Sequence, residues 1–456
     1  MIYFAEYKNI IKLGLPITIA QVGLTLQGMA DTLMLGQYNA SDLAAAGFAN
    51  SLLIMAQLLG MGFSMSSVPV IGKLYSQRRY AKIVSELKTS LFADIMQGVL
   101  VCLLMYMCYA LLPFIGVQSE LLPQIKHYIF ILIPSLLVMN FCYGMKNFYD
   151  CLTDTRITMW IVLTGNIWNI IWNWVLIFGR LGFPEMGIVG AAWATLTSRI
   201  LMAMLYILFF VNNKKYALYR RLWADSLISK SSLMNLNKLG WPIAFQLSIE
   251  LAAFSGIALT LGWGGDSWDA TSALVAHQVG CQIASFVYMF YIGIGSAVAI
   301  RVSHYFGLQG WNGIQKSAHA GYHLIFLIGL LATLLVFVFR NSITAFFVSN
   351  DNPQLFTRIS STVVSMIVPL IFYQVGDGMQ TCYVNALRGM GDVKKLLKYS
   401  IICYALITIP CSYLFGITLD FGAVGIWWGF PIGLTIAGIL YFRRFLYIVK
   451  EKSVDL

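Results

Sequence analysis

Charged residues are scarce in this chain of 456 residues. Asp, Glu, Lys and Arg together make up 11% of the sequence, whereas soluble domains carry about 25%. Hydrophobic residues make up 59%, and the mean hydropathy is +0.75. So apolar a chain must place most of its mass against lipid or inside packed helices. The composition therefore predicts a polytopic membrane protein.

Catalytic and nucleotide-binding motifs are also missing. The chain contains no HExxH, no GxSxG and no GxxxxGK[ST] sequence, so we expect neither an enzyme nor an ATP-driven pump. The eight cysteines include no C-x-x-C pair, and nearly all lie in apolar stretches, where cysteine is a small packing residue. We therefore expect no catalytic residue and no cofactor, and any transport would be passive or use an ion gradient.

Long apolar runs are what the sequence has instead. A membrane-spanning helix needs roughly 20 apolar residues, whereas a transmembrane barrel would show alternating segments of about 10 residues. Twelve runs fit the helix: 12–34, 43–70, 87–112, 126–147, 157–178, 187–211, 238–262, 272–299, 316–339, 360–385, 396–416 and 422–445. We predict an all-α polytopic membrane protein with twelve transmembrane helices.

The basic residues predict the orientation of these spans. We assign 25 of the 30 Lys and Arg residues to one side, among them Arg388 in the connection after span 10. Because short cytoplasmic loops carry an excess of Lys and Arg, we expect both termini in the cytoplasm. The net charge of +11 is thus a topology signal. It is spread over short loops and forms no single patch, so we expect no nucleic-acid partner.

The two halves of the chain resemble each other. "KLGLPI" (12–17) returns as "KLGWPI" (238–243), and "GIVGAAW" (187–193) corresponds to "GAVGIWW" (422–428). The longest polar connection lies between them. We predict a first lobe at 1–211, a cytoplasmic linker at 212–235 and a second lobe at 236–456. With six spans each, both halves enter from the cytoplasm, so the repeats are parallel, which is one of the symmetry plans of secondary transporters.

Two acids lie within apolar spans of the second half. Glu250 is near the middle of span 7, and Asp377 is in span 10, four residues after Tyr373 and on the same helix face. A charge at the bilayer centre costs ~2.5–3.5 kcal/mol, and such acids usually mark ion or proton paths. Spans 1, 7 and 10 offer no buried basic partner, and Arg199 is the only cation that we place in the middle of a span. Two carboxylates and a phenol oxygen can bind Na⁺, or the two acids can share a proton.

The first half contains its own polar set. Asp31 is in span 1, and Asn169 and Asn173 in span 5 are one turn apart, so both amides point the same way. Thr195 in span 6 could add a hydroxyl group. These residues form a second candidate oxygen cage, and ordinary hydrogen bonding between helices explains the Asn pair equally well. We interpret Asp94 in span 3 as an interfacial or capping acid near the cytoplasmic end.

At these residues the sequence resembles the multidrug and toxic compound extrusion (MATE) family, in particular its NorM-type branch. The resemblance covers the whole chain. It is strongest at "GMADTLMLGQYNASDLAAAGFANS" (28–51), "NIIWNWVLIFGRLGFPEMGIVGAAWAT" (169–195), "ALVAHQV" (273–279) followed by "IGIGSAVAIRVSHYFG", and "YQVGDGMQTCYVNALRGMGD" (373–392). It implies two six-helix lobes around a central cavity that opens alternately to the two faces, and export of amphipathic, often cationic compounds in exchange for Na⁺ or H⁺.

The resemblance also implies roles for individual residues. It assigns the cation site of the second lobe, with Na⁺ as one candidate occupant, to Glu250, Tyr373 and Asp377. It assigns the acid of the first lobe to Asp31, with the amides of span 5 beside it. Some members carry Asp at the position of Asn173, so the first lobe of this chain has one acid fewer, which weakens the case that it binds a cation unaided.

Several alternatives remain at this stage. A lipid-linked oligosaccharide flippase of the same superfamily should expose several Arg or Lys residues within its spans, since its substrate carries a pyrophosphate, and this chain offers acids instead. An intramembrane enzyme and a receptor or scaffold explain the polar residues less well. We expect a monomer in the inner or plasma membrane that acts on small amphipathic molecules, and the substrate-binding residues are not predicted.

Overall fold

Twelve long helices account for most of the protein. We describe it from a computed structural model, which covers residues 3–114, 119–262, 268–347 and 353–454. The helices are α1 (Phe4–Tyr38), α2 (Ala40–Ser76), α3 (Tyr80–Phe114), α4 (Leu122–Cys151), α5 (Thr155–Ile177), α6 (Gly187–Asn212), α7 (Lys230–Gly262), α8 (Ala270–Gly307), α9 (Trp311–Val338), α10 (Pro353–Met390), α11 (Lys394–Thr418) and α12 (Gly422–Lys452). All twelve are long and apolar enough to cross a bilayer, which confirms the predicted spans and the all-α class.

Three of these helices are irregular. The α2 span consists of Ala40–Ser64 and Ser67–Ser76, joined by two turn residues, and α3 ends in the 3₁₀ turn Leu112–Phe114. The α11 span contains the π-helical stretches Ile401–Thr408 and Leu414–Thr418. Wide π turns are rare and are often found at functional sites.

Short helices lie in two of the connections. Residues Lys214–Tyr216 and Ala217–Arg221 follow α6, and Arg340–Phe347 follows α9.

Side-chain caps start two of the long helices. The Asn39 side chain accepts a hydrogen bond from the Ser41 amide at 3.0 Å, and the Asp269 side chain accepts one from the Ser272 amide at 2.8 Å. Each cap satisfies an amide that has no partner within its own helix.

The chain divides into two compact units. The N-unit is Ile19–Phe245, and the C-unit is Met1–Thr18 together with Gln246–Leu456. These units differ from the lobes predicted at 1–211 and 236–456, because the first 18 residues group with the second half and the start of α7 groups with the first half. Both divisions fall inside a helix and a few residues after a proline, Pro16 in α1 and Pro242 in α7.

Close approaches at glycine residues explain this exchange. In the C-unit, a Cβ built on Gly14 of α1 would lie 3.1 Å from the carbonyl oxygen of Gly293 in α8. In the N-unit, a Cβ built on Gly240 of α7 would lie 2.9 Å from the carbonyl oxygen of Phe63 in α2. Gly14 and Gly240 are equivalent residues of the repeated "KLG" motif. Each repeat therefore begins with a helix that packs closely against the second helix of the other repeat.

Candidate functional site

The acid on α10 is enclosed in the C-unit. Asp377 is 0% exposed, and Tyr373, one turn earlier on the same helix, is 4% exposed. The Thr381 hydroxyl is 3.5 Å from Asp377 Oδ1, which is long for an O–H···O hydrogen bond. Among the described residues, Oδ2 of Asp377 is buried without a hydrogen-bond partner. One oxygen of Asp377 therefore has only a long contact, and the other has no hydrogen-bond partner among the described residues.

The second acid of the C-unit comes from α7. Glu250 interacts electrostatically with Asp377, and its carboxylate also interacts with Gln380 and Tyr404. Gln380 Nε2 lies 2.7 Å from the Tyr404 hydroxyl oxygen, and both side chains are buried. The structure thus brings Glu250 and Asp377 into one polar cluster, as the sequence predicts.

Tyr373 lies beside this cluster against an aromatic wall. Its ring makes edge contacts with Phe254 and Phe430, at centroid distances of 6.2 and 6.1 Å. It also interacts electrostatically with Asp377 and Glu250. The three residues predicted for this site, Glu250, Tyr373 and Asp377, therefore lie close enough to interact electrostatically with one another. Their oxygen atoms are of the kind that binds hard monovalent cations or protons.

Sequence reasoning misses several members of the cluster. These are Gln380, Thr381 and Tyr404, and Tyr404 has no sequence signal beyond being polar in an apolar span. Tyr404 is in the π-helical stretch Ile401–Thr408 of α11, and its contact with α10 is a property of packing alone. In retrospect, Gln380 and Thr381 could be found from Asp377, since they follow it at three and four residues on the same helix.

One expectation about this site is wrong. The apolar runs predict no buried basic partner in spans 1, 7 and 10 and place Arg388 in a loop. In the structure α10 continues to Met390, and Arg388 is 6% exposed within it. Its Nη2 donates a hydrogen bond of 3.0 Å to Oε1 of Gln246, one turn before Glu250. The helix extends beyond the apolar run because this turn is buried in protein and needs no lipid-facing residues.

The polar residues predicted for the N-unit form a continuous hydrogen-bonded chain. Nδ2 of Asn173 donates to Oδ1 of Asp31 and, at 3.1 Å, to Oδ1 of Asn169. Nδ2 of Asn169 in turn donates to the Thr195 hydroxyl at 3.3 Å. Asn169 and Asn173 are both 0% exposed. Four residues from α1, α5 and α6 are therefore joined, and Asp31 is the only acid in this chain of contacts.

Arg199 is the charged neighbour of this set. It interacts electrostatically with Asp31, and its Nη1 donates a hydrogen bond of 2.7 Å to the hydroxyl of Ser135, which is itself 0% exposed. The mid-span cation that the sequence leaves unassigned thus accompanies the acid of the first lobe.

Asp94 is not an interfacial or capping acid. It lies near the middle of α3, is 2% exposed, and accepts a hydrogen bond of 3.2 Å from the Ser64 hydroxyl. Asn147 donates to the Ser64 carbonyl oxygen at 2.9 Å, next to the irregular turn in α2. The sequence interpretation fails because α3 begins at Tyr80, earlier than the apolar run, which moves Asp94 toward the centre of the helix.

Comparison with known proteins gives the family. The MatE family model matches residues 16–175 and 242–414, which is most of the chain and includes both polar sets except Thr195. The chain belongs to the MatE family. This confirms the resemblance seen in the sequence, and the family consists of membrane transporters.

The relatives of this MatE protein include multidrug resistance proteins. It is 29% identical over 461 residues to the multidrug resistance protein NorM of Vibrio cholerae, covering 99% of this chain and 98% of that protein. It is also 29% identical over 468 residues to the probable multidrug resistance protein NorM of Mannheimia succiniciproducens, covering 100% and 96%.

Solved structures share its fold. A multidrug resistance MATE family transporter of the MOP superfamily, in an outward-facing conformation, superposes with a TM-score of 0.88 at 19% identity over 98% of this chain and 96% of the other. The eukaryotic MATE transporter AtDTX14 gives a TM-score of 0.87 at 17% identity, over 100% and 99%. At these identities the likeness concerns the fold alone.

Proposed function

We propose that this protein is a cation-coupled antiporter that exports amphipathic, often cationic compounds by alternating access. The observation that carries the proposal is Asp377, which is 0% exposed, has one oxygen without a partner among the described residues, and interacts with Glu250. An unpaired buried carboxylate is costly in an apolar medium. A transported positive charge would relieve that cost each time it binds.

The coupling ion is Na⁺ or H⁺. Na⁺ would bind through the carboxylates of Glu250 and Asp377 and the phenol oxygen of Tyr373. A proton would instead be shared by the two acids, because like charges that lie close together favour one neutral member. Both ions act on the same residues, so the choice between them is left to the experiment below.

In the N-unit, Asp31 would respond to its own protonation by exchanging hydrogen-bond partners. A neutral Asp31 can donate to the amide oxygens of Asn169 or Asn173, whereas an ionised one can only accept. Pro16 interrupts the hydrogen bonding of the same helix and makes a bend in α1 possible. Such a bend would couple the N-unit to release of the transported compound.

The proposed setting is the inner or plasma membrane, with both termini in the cytoplasm and one chain as the working unit. The distribution of Lys and Arg supports the orientation. The two bacterial relatives are named as multidrug resistance proteins, which supports drug-like substrates. A single chain contains both polar sets, so no partner chain is needed to complete either.

The lipid-linked oligosaccharide flippase is less well supported. Such a protein needs free cations for a pyrophosphate, and the buried Arg388 and the half-buried Arg199 are already engaged. Arg388 donates to Gln246, and Arg199 donates to Ser135.

Uptake of a fluorescent amphipathic cation into proteoliposomes tests the proposal, with an imposed Na⁺ gradient, an imposed pH gradient, or neither. We expect gradient-dependent transport in the parent and its loss in Glu250→Gln and in Asp377→Asn, because each substitution keeps the shape and removes one charge. Glu451→Gln, which changes an exposed acid on α12, is the matched control and should transport normally. Parent-like rates in either site variant would contradict the assignment of these acids.

A further inference from the structure

Arg388 belongs to the polar cluster of the C-unit, where it contacts the residue of α7 that lies one turn before Glu250. Gln246 and Glu250 are one turn apart on α7 and share a face. Arg388 follows Asp377 by eleven residues, about three turns of α10, so these two also share a face. The hydrogen bond from Arg388 to Gln246 and the interaction of Gln380 with Glu250 therefore join α10 to α7 at two places.

The guanidinium of Arg388 acts on Glu250 as a charge. The two groups interact electrostatically. Arg388 is 6% exposed and Glu250 is half-buried, so bulk water screens the interaction less than it screens a pair on the surface. Arg388 also interacts electrostatically with the phenols of Tyr288, Tyr404 and Tyr441, which are neutral near pH 7. With both carboxylates ionised, the cluster of Glu250, Asp377 and Arg388 carries one net negative charge.

We propose that Arg388 is the residue that sets the charge of the cation site, so that one monovalent cation neutralises the cluster and is held weakly enough to leave. This inference rests on the proposed function for its purpose, but the pairing of Arg388 with Glu250 can be tested without it. Two carboxylates alone would favour two monovalent cations or one divalent cation. A transporter must release its ion in every cycle, and a fixed positive charge beside the site lowers the affinity enough to allow that release.

The first test is a double-mutant cycle on thermal stability in detergent, with Glu250→Gln, Arg388→Gln and the double variant. Arg388→Gln removes the cation that interacts with Glu250, and Glu250→Gln removes the acid that interacts with Arg388. The double variant removes both charges, so we expect it to be more stable than the sum of the single effects predicts. Additive effects would overturn the inference, whatever the coupling ion is.

The second test is equilibrium binding of ²²Na⁺ to purified protein. We expect Arg388→Gln to bind Na⁺ roughly tenfold more tightly than the parent, which is the effect of one unit charge on the order of 10 Å away at an effective dielectric constant of about 20. Arg388→Lys keeps the charge and should bind like the parent. Arg443→Gln, which removes an exposed cation of α12, should also leave the affinity unchanged.

The outcomes separate this inference from the proposed function. Weaker or unchanged Na⁺ binding in a folded Arg388→Gln protein would show that Arg388 is structural and would overturn the inference. If no variant binds Na⁺, sodium coupling is wrong, and the stability cycle alone decides whether Arg388 is the counter-charge of Glu250. Tighter binding with a non-additive cycle supports both.

Discussion

Asp31→Asn should distinguish the roles of the two polar sets, because we expect it to reduce export and to leave Na⁺ binding nearly unchanged. The substitution keeps the shape of the side chain, and the new amide oxygen can still accept the hydrogen bond from Asn173. A hydrogen bond to a charged group contributes ~1.5–3 kcal/mol and a neutral one ~0.5–1.5 kcal/mol. The substitution therefore costs about 1 kcal/mol of local stability, which is too little to break the hydrogen bonds through Asn169 and Thr195.

The functional loss should be much larger than this structural one. Asn cannot change its protonation state, so the exchange of hydrogen-bond partners proposed for Asp31 would stop, and export would fall about tenfold or more, a loss of at least ~1.4 kcal/mol in transition-state stabilisation. Na⁺ binding should change by no more than about twofold, because Glu250 and Asp377 belong to the other unit and independent sites are additive within about 0.5 kcal/mol.

The assays are proteoliposome export and equilibrium Na⁺ binding on the same purified protein. Glu120→Gln, which changes an exposed acid of the N-unit, controls for the loss of one negative charge. A loss of Na⁺ binding in Asp31→Asn as complete as in Glu250→Gln would refute the division of roles between the two sets. Parent-like export would refute the role of Asp31 itself.

Three other substitutions have definite expected results. Tyr373→Phe removes one neutral oxygen and leaves both acids, so Na⁺ affinity should fall by about three- to tenfold, as for the loss of one hydrogen-bond-sized interaction of ~1 kcal/mol; an unchanged ion dependence of transport would remove Tyr373 from the site. Asn173→Asp places a second acid beside Asp31, so the number of bound monovalent cations per chain should rise, and an unchanged stoichiometry would show that the N-unit needs more than a second carboxylate. Gly62→Ala would put a Cβ 2.7 Å from the Cα of Ala244, and since backbone cannot yield cheaply we expect a loss of ~1–3 kcal/mol in stability; an unchanged thermal midpoint in detergent would contradict that close packing.

Local sequence signals predict much of this structure. Continuous apolar runs predict all twelve helices, because a spanning helix must be long and apolar whatever its neighbours are. The acids Asp31, Glu250 and Asp377 stand out for the same reason. The one-turn spacing of Asn169 and Asn173 predicts that their amides meet, and in the structure they are hydrogen-bonded at 3.1 Å.

The features that escape prediction depend on packing between distant segments. Hydropathy places Arg388 in a loop. The last turns of α10 are buried against protein instead of lipid, so they need not be apolar, and the helix continues beyond the apolar run. Tyr404 reaches Gln380 from another helix, and no spacing within the sequence encodes that contact. The internal repeat marks the covalent halves, whereas the packing units exchange their first helical segments through contacts at glycines such as Gly14.

The most direct test of the account is export driven by an imposed ion gradient in Asp377→Asn proteoliposomes, compared with the parent and with Glu451→Gln. The account predicts that the parent and the Glu451 variant export a fluorescent amphipathic cation only when the Na⁺ or pH gradient is present. It predicts that Asp377→Asn, inserted in equal amount, shows no response to either gradient. Gradient-driven export by Asp377→Asn at the rate of the parent would contradict the central claim that this buried acid carries the coupling ion.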